Sequence, residues 1–442
     1  MKLGLGACSG LVVALCLGCG PGDTGHHLMV SREARYLLGQ AQNLPSGWIE
    51  RTDEQRLTED WVYQRQLAWS LWDFLLASSR PSIAAFNWQT WYSKEDFQRV
   101  FRYLYQSLSK EQRARRSPFT ESTILAAIEW HDRLQFEGSD WSQQRFEKWL
   151  APYDSELKRR SIPGMDKVLV NRPALIFLLE HYPKLYACWQ EPDRSRCPEL
   201  QFPAGAALLK TAWRRLGSAF ILDDFPMDRE RWHEHQAAET WIPYHRPPPN
   251  LDQGFIIETR AGDRFLLVGI HAMLRFTLDW LWSSLWVSAS SSDPWGDDRP
   301  IGWQGIWRHY QQCSVYGFHI PLAQVSHPIP LPPALAALAE DIGASNPANW
   351  CSNPYLEVGP NNQKTNCVGC HQHAGATWAE SEFRRRLIED LPSLVDRSPP
   401  QGSTDGVWSL LGGPDPWAQT ISENIEYFDA HDPYEKVGRN RP

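Results

Sequence analysis

Apolar residues recur at helical spacing through the first half of the chain. Leu67, Leu71, Phe74 and Leu75 share one face and predict a helix over Glu59–Ala77, ended by Pro81. Ser93-Lys94-Glu95-Asp96 reads as a capping box, opening a helix that carries Phe97, Val100, Phe101 and Leu104 on one side. Further helices are predicted over 120–134, with Ile124, Ala127, Ile128 and His131 on one face, and over 142–150. His131 there reads as a core or rim histidine. Beyond residue 200 the period changes. Phe255–Thr259 and Arg264–Ile270, separated by Ala261-Gly262-Asp263, predict a β-hairpin whose second strand ends at Gly269-Ile270-His271. Phe276, Leu278, Trp280 and Trp282 alternate with Thr277, Asp279 and Leu281, which predicts a strand with one buried face. Pro243–Pro249 is a non-helical connector, and 293–333 is loop-rich. Short helices are expected at Ala334–Ile342, after Pro332-Pro333, and at Ala379–Leu391, with Phe383, Leu387, Ile388 and Leu391 aligned. The pattern is that of an α+β chain, with a mainly helical region over 47–200 and a β-hairpin and loop-rich region over 201–442.

The second region contains Cys367-Val368-Gly369-Cys370-His371. Two cysteines two residues apart, followed at once by histidine, read as an attachment site for c-type haem. Each thiol adds to one vinyl group of the haem edge, so both sulfurs must present on one side of a single turn. The next residue then lies beneath the ring, where its imidazole binds iron as the proximal ligand. A CxxC disulfide or half of a zinc site would use the same residues. Zinc would need a second Cys/His pair at ligand spacing, and His373 alone would leave every ligand on one short segment. There is no second CxxCH, so the expectation is one covalent haem c.

Such attachment requires export. Lys2 precedes an apolar run from Leu3 to Gly18, the length of a secretory core and short for a spanning helix. Leu17-Gly18-Cys19-Gly20 follows and resembles a bacterial lipoprotein signal. On that reading 1–18 is a signal peptide, Cys19 carries lipid and 19–46 is a tether to a membrane facing the periplasm. Cys16 stands where such signals carry Leu. Leu5-Gly6-Ala7-Cys8 fits the local pattern but follows too short an apolar run. Ordinary cleavage to a soluble periplasmic or secreted form is the alternative. Leu278–Ala289, the longest later apolar run, is interrupted by Asp279 and two serines, which excludes a bilayer span there. Once Cys8 and Cys16 leave with the signal, Cys188, Cys197, Cys313 and Cys351 remain. Proximity pairs Cys188 with Cys197 and Cys313 with Cys351, one of three pairings four cysteines allow. A net charge of −8 gives no basic footprint and excludes nucleic acid as a partner. The 23 tryptophans suit cofactor walls as well as ordinary cores.

A small soluble cytochrome c places a methionine ligand after CxxCH, and no methionine follows Met273 here. Lys210 and Trp213, Val268-Gly269-Ile270-His271, Trp280 and Trp282, and Asn353 and Glu357 ahead of CxxCH form a different pattern, with Trp88-Gln89-Thr90-Trp91 upstream. In these residues the chain resembles large bacterial exported mono-haem proteins of the cytochrome c family, over about half its length. It departs after Trp282, where that group continues Ala-Thr-Phe-Glu-His and this chain reads Ser283-Ser284-Leu285-Trp286-Val287. The resemblance implies haem binding and no particular reaction. For the iron's sixth position His271 is the first candidate, at a strand end beside Trp-rich sequence and matching the family pattern. Met273 and His319 are others, and an open site is the fourth case. Two strong ligands imply an electron-transfer protein serving a periplasmic or membrane redox partner. An open site implies a peroxidase-like enzyme or small-gas sensor, with His271 and either Lys210 or Arg275 around the distal face.

Overall fold

The computed structural model describes residues 41–45, 47–80, 83–135, 140–191, 197, 200–217, 222–225, 229–238, 242–246, 254–276, 279–288, 298–303, 305–317, 351–356, 367, 371 and 417–431. The segment 1–18 read as a signal, Cys19, His319, Cys370 and the helices expected at Ala334–Ile342 and Ala379–Leu391 lie outside them.

The helical pattern of the first half is realised. Helix α1 (Trp61–Leu76) is capped by Asp60, whose side chain accepts from Tyr63 N, and it buries Leu71, Trp72 and Leu75. It stops at Ala77, where the chain turns into a hairpin of Ser78–Arg80 and Ile83–Phe86. Helix α2 (Lys94–Ser107) opens on the expected capping box: Asp96 Oδ2 accepts from Ser93 N at 2.8 Å and Ser93 Oγ accepts from Asp96 N at 3.3 Å. Its Phe97, Val100, Phe101 and Leu104 are buried. Helices α3 (Glu121–Gln135), α4 (Trp141–Leu150), α5 (Arg172–Glu180) and α6 (Tyr182–Gln190) follow. A last helix, α7 (Trp417–Ala430), returns to this layer, with Trp417 5.1 Å from Phe97 and Phe428 5.8 Å from Tyr105 between ring centroids. Disulfides join Cys188 to Cys197 and Cys313 to Cys351, at Cα separations of 5.3 and 5.2 Å.

The fold is α+β, built on one antiparallel seven-stranded sheet. Its strands are β1 (Tyr92–Ser93), β2 (Gly164–Val170), β3 (Ala207–Leu216), β4 (Ile256–Glu258), β5 (Arg264–Arg275), β6 (Trp280–Val287) and β7 (Tyr310–Tyr316). The order is β7-β6-β5-β3-β2-β1, with β4 pairing the start of β5. The mainly helical half therefore supplies β1 and β2 to the same sheet, and residue 200 is no boundary within it.

The expected hairpin is present as β4 and β5, and both β5 and β6 differ from their predicted extents. β5 does not end at His271 but runs on to Arg275, paired on both sides by β3 and β6. His271 is thus a mid-strand residue. β6 starts at Trp280, not Phe276, and is buried on both faces rather than one, because chain covers it from either side. β3 was not anticipated. β7 lies in a stretch read as loop-rich, since Gln311, Gln312 and Ser314 mask a strand that is fully buried.

Register divides the side chains between two faces. On one, Ser283 Oγ accepts from Trp72 Nε1 at 2.8 Å, and Trp213 meets Phe146 at 4.9 Å and Trp88 at 6.4 Å, so this is the face the helices cover. Among the helices sits a buried polar knot. Asp96 accepts from Arg145 Nη2 and lies 3.2 Å from His131 Nε2, while Asp132 Oδ2 accepts from Tyr92 OH at 3.0 Å. His131 is therefore a core histidine bound by carboxylates. The other face carries Gly269, His271 and Met273 of β5 opposite Trp286, Ser284 and Trp282 of β6, with Cys313 of β7 and Lys210 of β3 to either side.

Candidate functional site

β5 is almost entirely apolar, as a strand buried on both faces must be: Phe265, Leu266, Leu267, Val268, Ile270, Ala272 and Leu274 are all core. His271 breaks that run. It is 7% exposed, lies opposite Lys210 on β3 and Ser284 on β6, and its Nε2 has no hydrogen-bond partner among the described residues. Burial, then the neighbouring His371 and the charge of Lys210, push its pKa well below the ordinary histidine value. The imidazole is neutral at physiological pH, with a lone pair available on the buried ring, which is the state that ligates a metal.

Cys367 and His371, the described residues of the CxxCH motif, are brought to this residue. The His371 ring lies 5.9 Å from that of His271 and 6.1 Å from Trp282, between centroids. Cys367 is buried, and its Sγ lies 3.9 Å from His271 Nδ1. Residues 271 and 371, a hundred positions apart in the chain, are thus joined on one sheet face. The donor set can be tested against haem. His271 Nε2, buried and without a hydrogen-bond partner among the described residues, and the neighbouring His371 are nitrogen donors of the kind haem takes, with Trp282 as an aromatic wall. When bound, haem c would be held by Cys367 and Cys370, with His371 and His271 as the nitrogen donors.

The other sequence candidates separate. Met273 is buried on the same face, opposite Leu208 and Trp282. Lys210 Nζ stands 3.3 Å from Asp166 Oδ2 in a partly exposed pair. Arg275 lies at the far end of β5 with its guanidinium 5.7 Å from the Trp280 ring centroid. Of the two cations, Lys210 is the cross-strand neighbour of His271, and Arg275 stands apart from it.

Sequence reasoning gave Asn353 no role of its own. It is fully buried, donates from Nδ2 to Ser284 Oγ at 2.8 Å and Leu285 O at 3.0 Å, and accepts from Tyr355 N at 3.0 Å. A signal existed in Gly269, since a glycine inside a buried strand marks close approach by another segment. Comparison with family models, with curated proteins and with solved structures finds no match for this chain.

Proposed function

We propose that this chain is an exported mono-haem c-type cytochrome that transfers electrons, with haem attached at Cys367 and Cys370, His371 as proximal ligand and His271 as the second axial ligand. The observation that carries the reading is the buried Nε2 of His271, without a hydrogen-bond partner among the described residues, beside the histidine of the CxxCH motif. When bound, the haem supplies one-electron chemistry between Fe(II) and Fe(III). The chain's residues bind, fix and shield it. His271 is held mid-strand between two paired strands, so its position changes little between oxidation states. Trp282 and Trp286, both buried, keep water from the same face. Two imidazoles give a lower potential than a histidine–methionine pair. Lys210, the cation beside His271, is engaged by Asp166, which favours electron transfer over acid–base chemistry, where a proton donor and a cation must be available at one distal point. Lipid on Cys19 would hold the protein at a membrane, facing a periplasmic or membrane redox partner.

The test is expression of the full chain with haem-attachment machinery, followed by the visible spectrum of the ferric protein. A covalent haem with a low-spin spectrum, turned high-spin by His271→Ala, is expected. A low-spin spectrum unmoved by His271→Ala would remove the ligand assignment, and absence of covalent haem would remove the whole reading.

A further inference from the structure

The segment bearing the haem motif is tied to the sheet at a row of residues that includes His271. Cys313, Ser284 and His271 are successive cross-strand neighbours on β7, β6 and β5. Each bears on the motif. Cys313 is bridged to Cys351, whose carbonyl accepts from Cys367 N at 2.9 Å and lies 3.2 Å from Cys367 Sγ. Ser284 Oγ accepts from Asn353 Nδ2, two residues beyond Cys351. His271 faces Cys367 and His371.

Asn353 is seated by shape as well as by hydrogen bonds. It lies over Gly269, the residue preceding His271 on that face of β5. A Cβ at Gly269 would stand 3.1 Å from Asn353 Nδ2 and 3.4 Å from Leu356 Cγ, so the glycine makes room for the segment. Three independent ties thus converge on 351–356: one covalent, one hydrogen-bonded, one steric.

We infer that residues 351–355 form a clamp, with Asn353 as its key positioning residue, that sets the spacing between His371 and His271 and thereby keeps the sixth position of the iron filled. The inference rests on the haem reading and deepens it. The clamp touches neither iron nor substrate. It acts by fixing the Cys351 carbonyl on which Cys367 hangs. Loosening it would let Cys367 and His371 move away from β5, so that His271 would hold an iron less firmly and a small diatomic ligand could compete with it.

The test uses the full haem-loaded chain and two variants, Asn353→Ala and Gly269→Ala. Covalent haem is scored first on denatured protein, which separates failure of the haem reading from failure of the clamp. Both variants are expected to retain covalent haem. The high-spin fraction of the ferric protein and the rate at which carbon monoxide binds the ferrous protein should each rise about tenfold, the equivalent of one to two hydrogen bonds at their net worth. Amide exchange at Tyr355 should rise with them. Asn353→Ala protein that keeps its haem, its low-spin spectrum and the parent carbon monoxide rate overturns the clamp. Gly269→Ala keeps the Asn353 side chain but adds one methyl that crowds it off its seat. If Asn353→Ala does not accumulate, an unchanged Gly269→Ala spectrum overturns the clamp equally.

Discussion

Asp96→Ala removes the carboxylate on which the helical layer is knotted. Asp96 is N3 of α2, and it reaches His131 on α3 and Arg145 on α4. Both members of the Asp96–Arg145 pair are buried, with side chains 7% and 6% exposed. Burial alone would raise the Asp96 pKa. The Arg145 charge and the hydrogen bond from His131 more than reverse this and hold the carboxyl far below its ordinary range. Taking one partner from a buried pair costs about 3–5 kcal/mol, because the other charge is left uncompensated. The capping contacts at Ser93 add about 1 kcal/mol. One oxygen serves both, so the two overlap and the expected loss is about 4 kcal/mol. Chemical denaturation followed by tryptophan emission reads it, since buried tryptophans report from both layers. The loss should also vary with pH. Hydrogen bonds to Asp132 and Asp96 outweigh burial and raise the His131 pKa, so its contribution is complete below its unfolded value of about 6.5 and fades as pH rises through the higher folded value. Asp96 contributes above its unfolded value of about 4, and its contribution is lost as pH falls below that. The penalty of Asp96→Ala should therefore be greatest between about pH 4 and 6.5 and shrink above that window. A loss under about 1 kcal/mol, the size of a surface pair, would refute the reasoning, as would a penalty that grows on the alkaline side.

Two further outcomes follow from ties between the layers. Arg65 is buried on α1, pairs with Asp298 at 2.7 Å and donates to Gln312 O on β7 at 3.0 Å, so Arg65→Met should cost about 3 kcal/mol, read as a fall in melting temperature that Asp298→Asn only partly reproduces. Tyr310 OH donates to Leu267 O at 2.7 Å and accepts from Phe255 N at 3.2 Å, so Tyr310→Phe should cost about 1–3 kcal/mol and speed hydrogen exchange at the Phe255 amide.

What was legible in the sequence was local. Helical spacing and the Ser93–Asp96 box located α1 and α2, because amphipathic periodicity and capping are written within a few residues. The β4–β5 hairpin was visible through its Gly262 turn. Cysteine proximity placed both disulfides. What was not legible depends on burial from two sides. β6 was read as one-faced because alternation normally marks a half-exposed strand, and here covering segments arrive from far along the chain. β7 was hidden by its glutamines and serine, which are buried yet polar. The end of β5 was set too early because a histidine looks like a stop in an apolar run. Its pairing on both sides makes it a buried mid-strand residue instead. Asn353 carries no local sign of its role, which exists only through Gly269 and Ser284 on strands about seventy or more positions earlier.

The central claim is that His271 and His371 bind one haem iron from opposite sides. Near-infrared magnetic circular dichroism of the ferric, haem-loaded full chain addresses it directly, because its charge-transfer band distinguishes bis-imidazole iron from histidine–methionine and from water-bound iron. The account predicts the bis-imidazole signature and its loss in His271→Ala. A histidine–methionine or high-spin signature in the unaltered protein would contradict it.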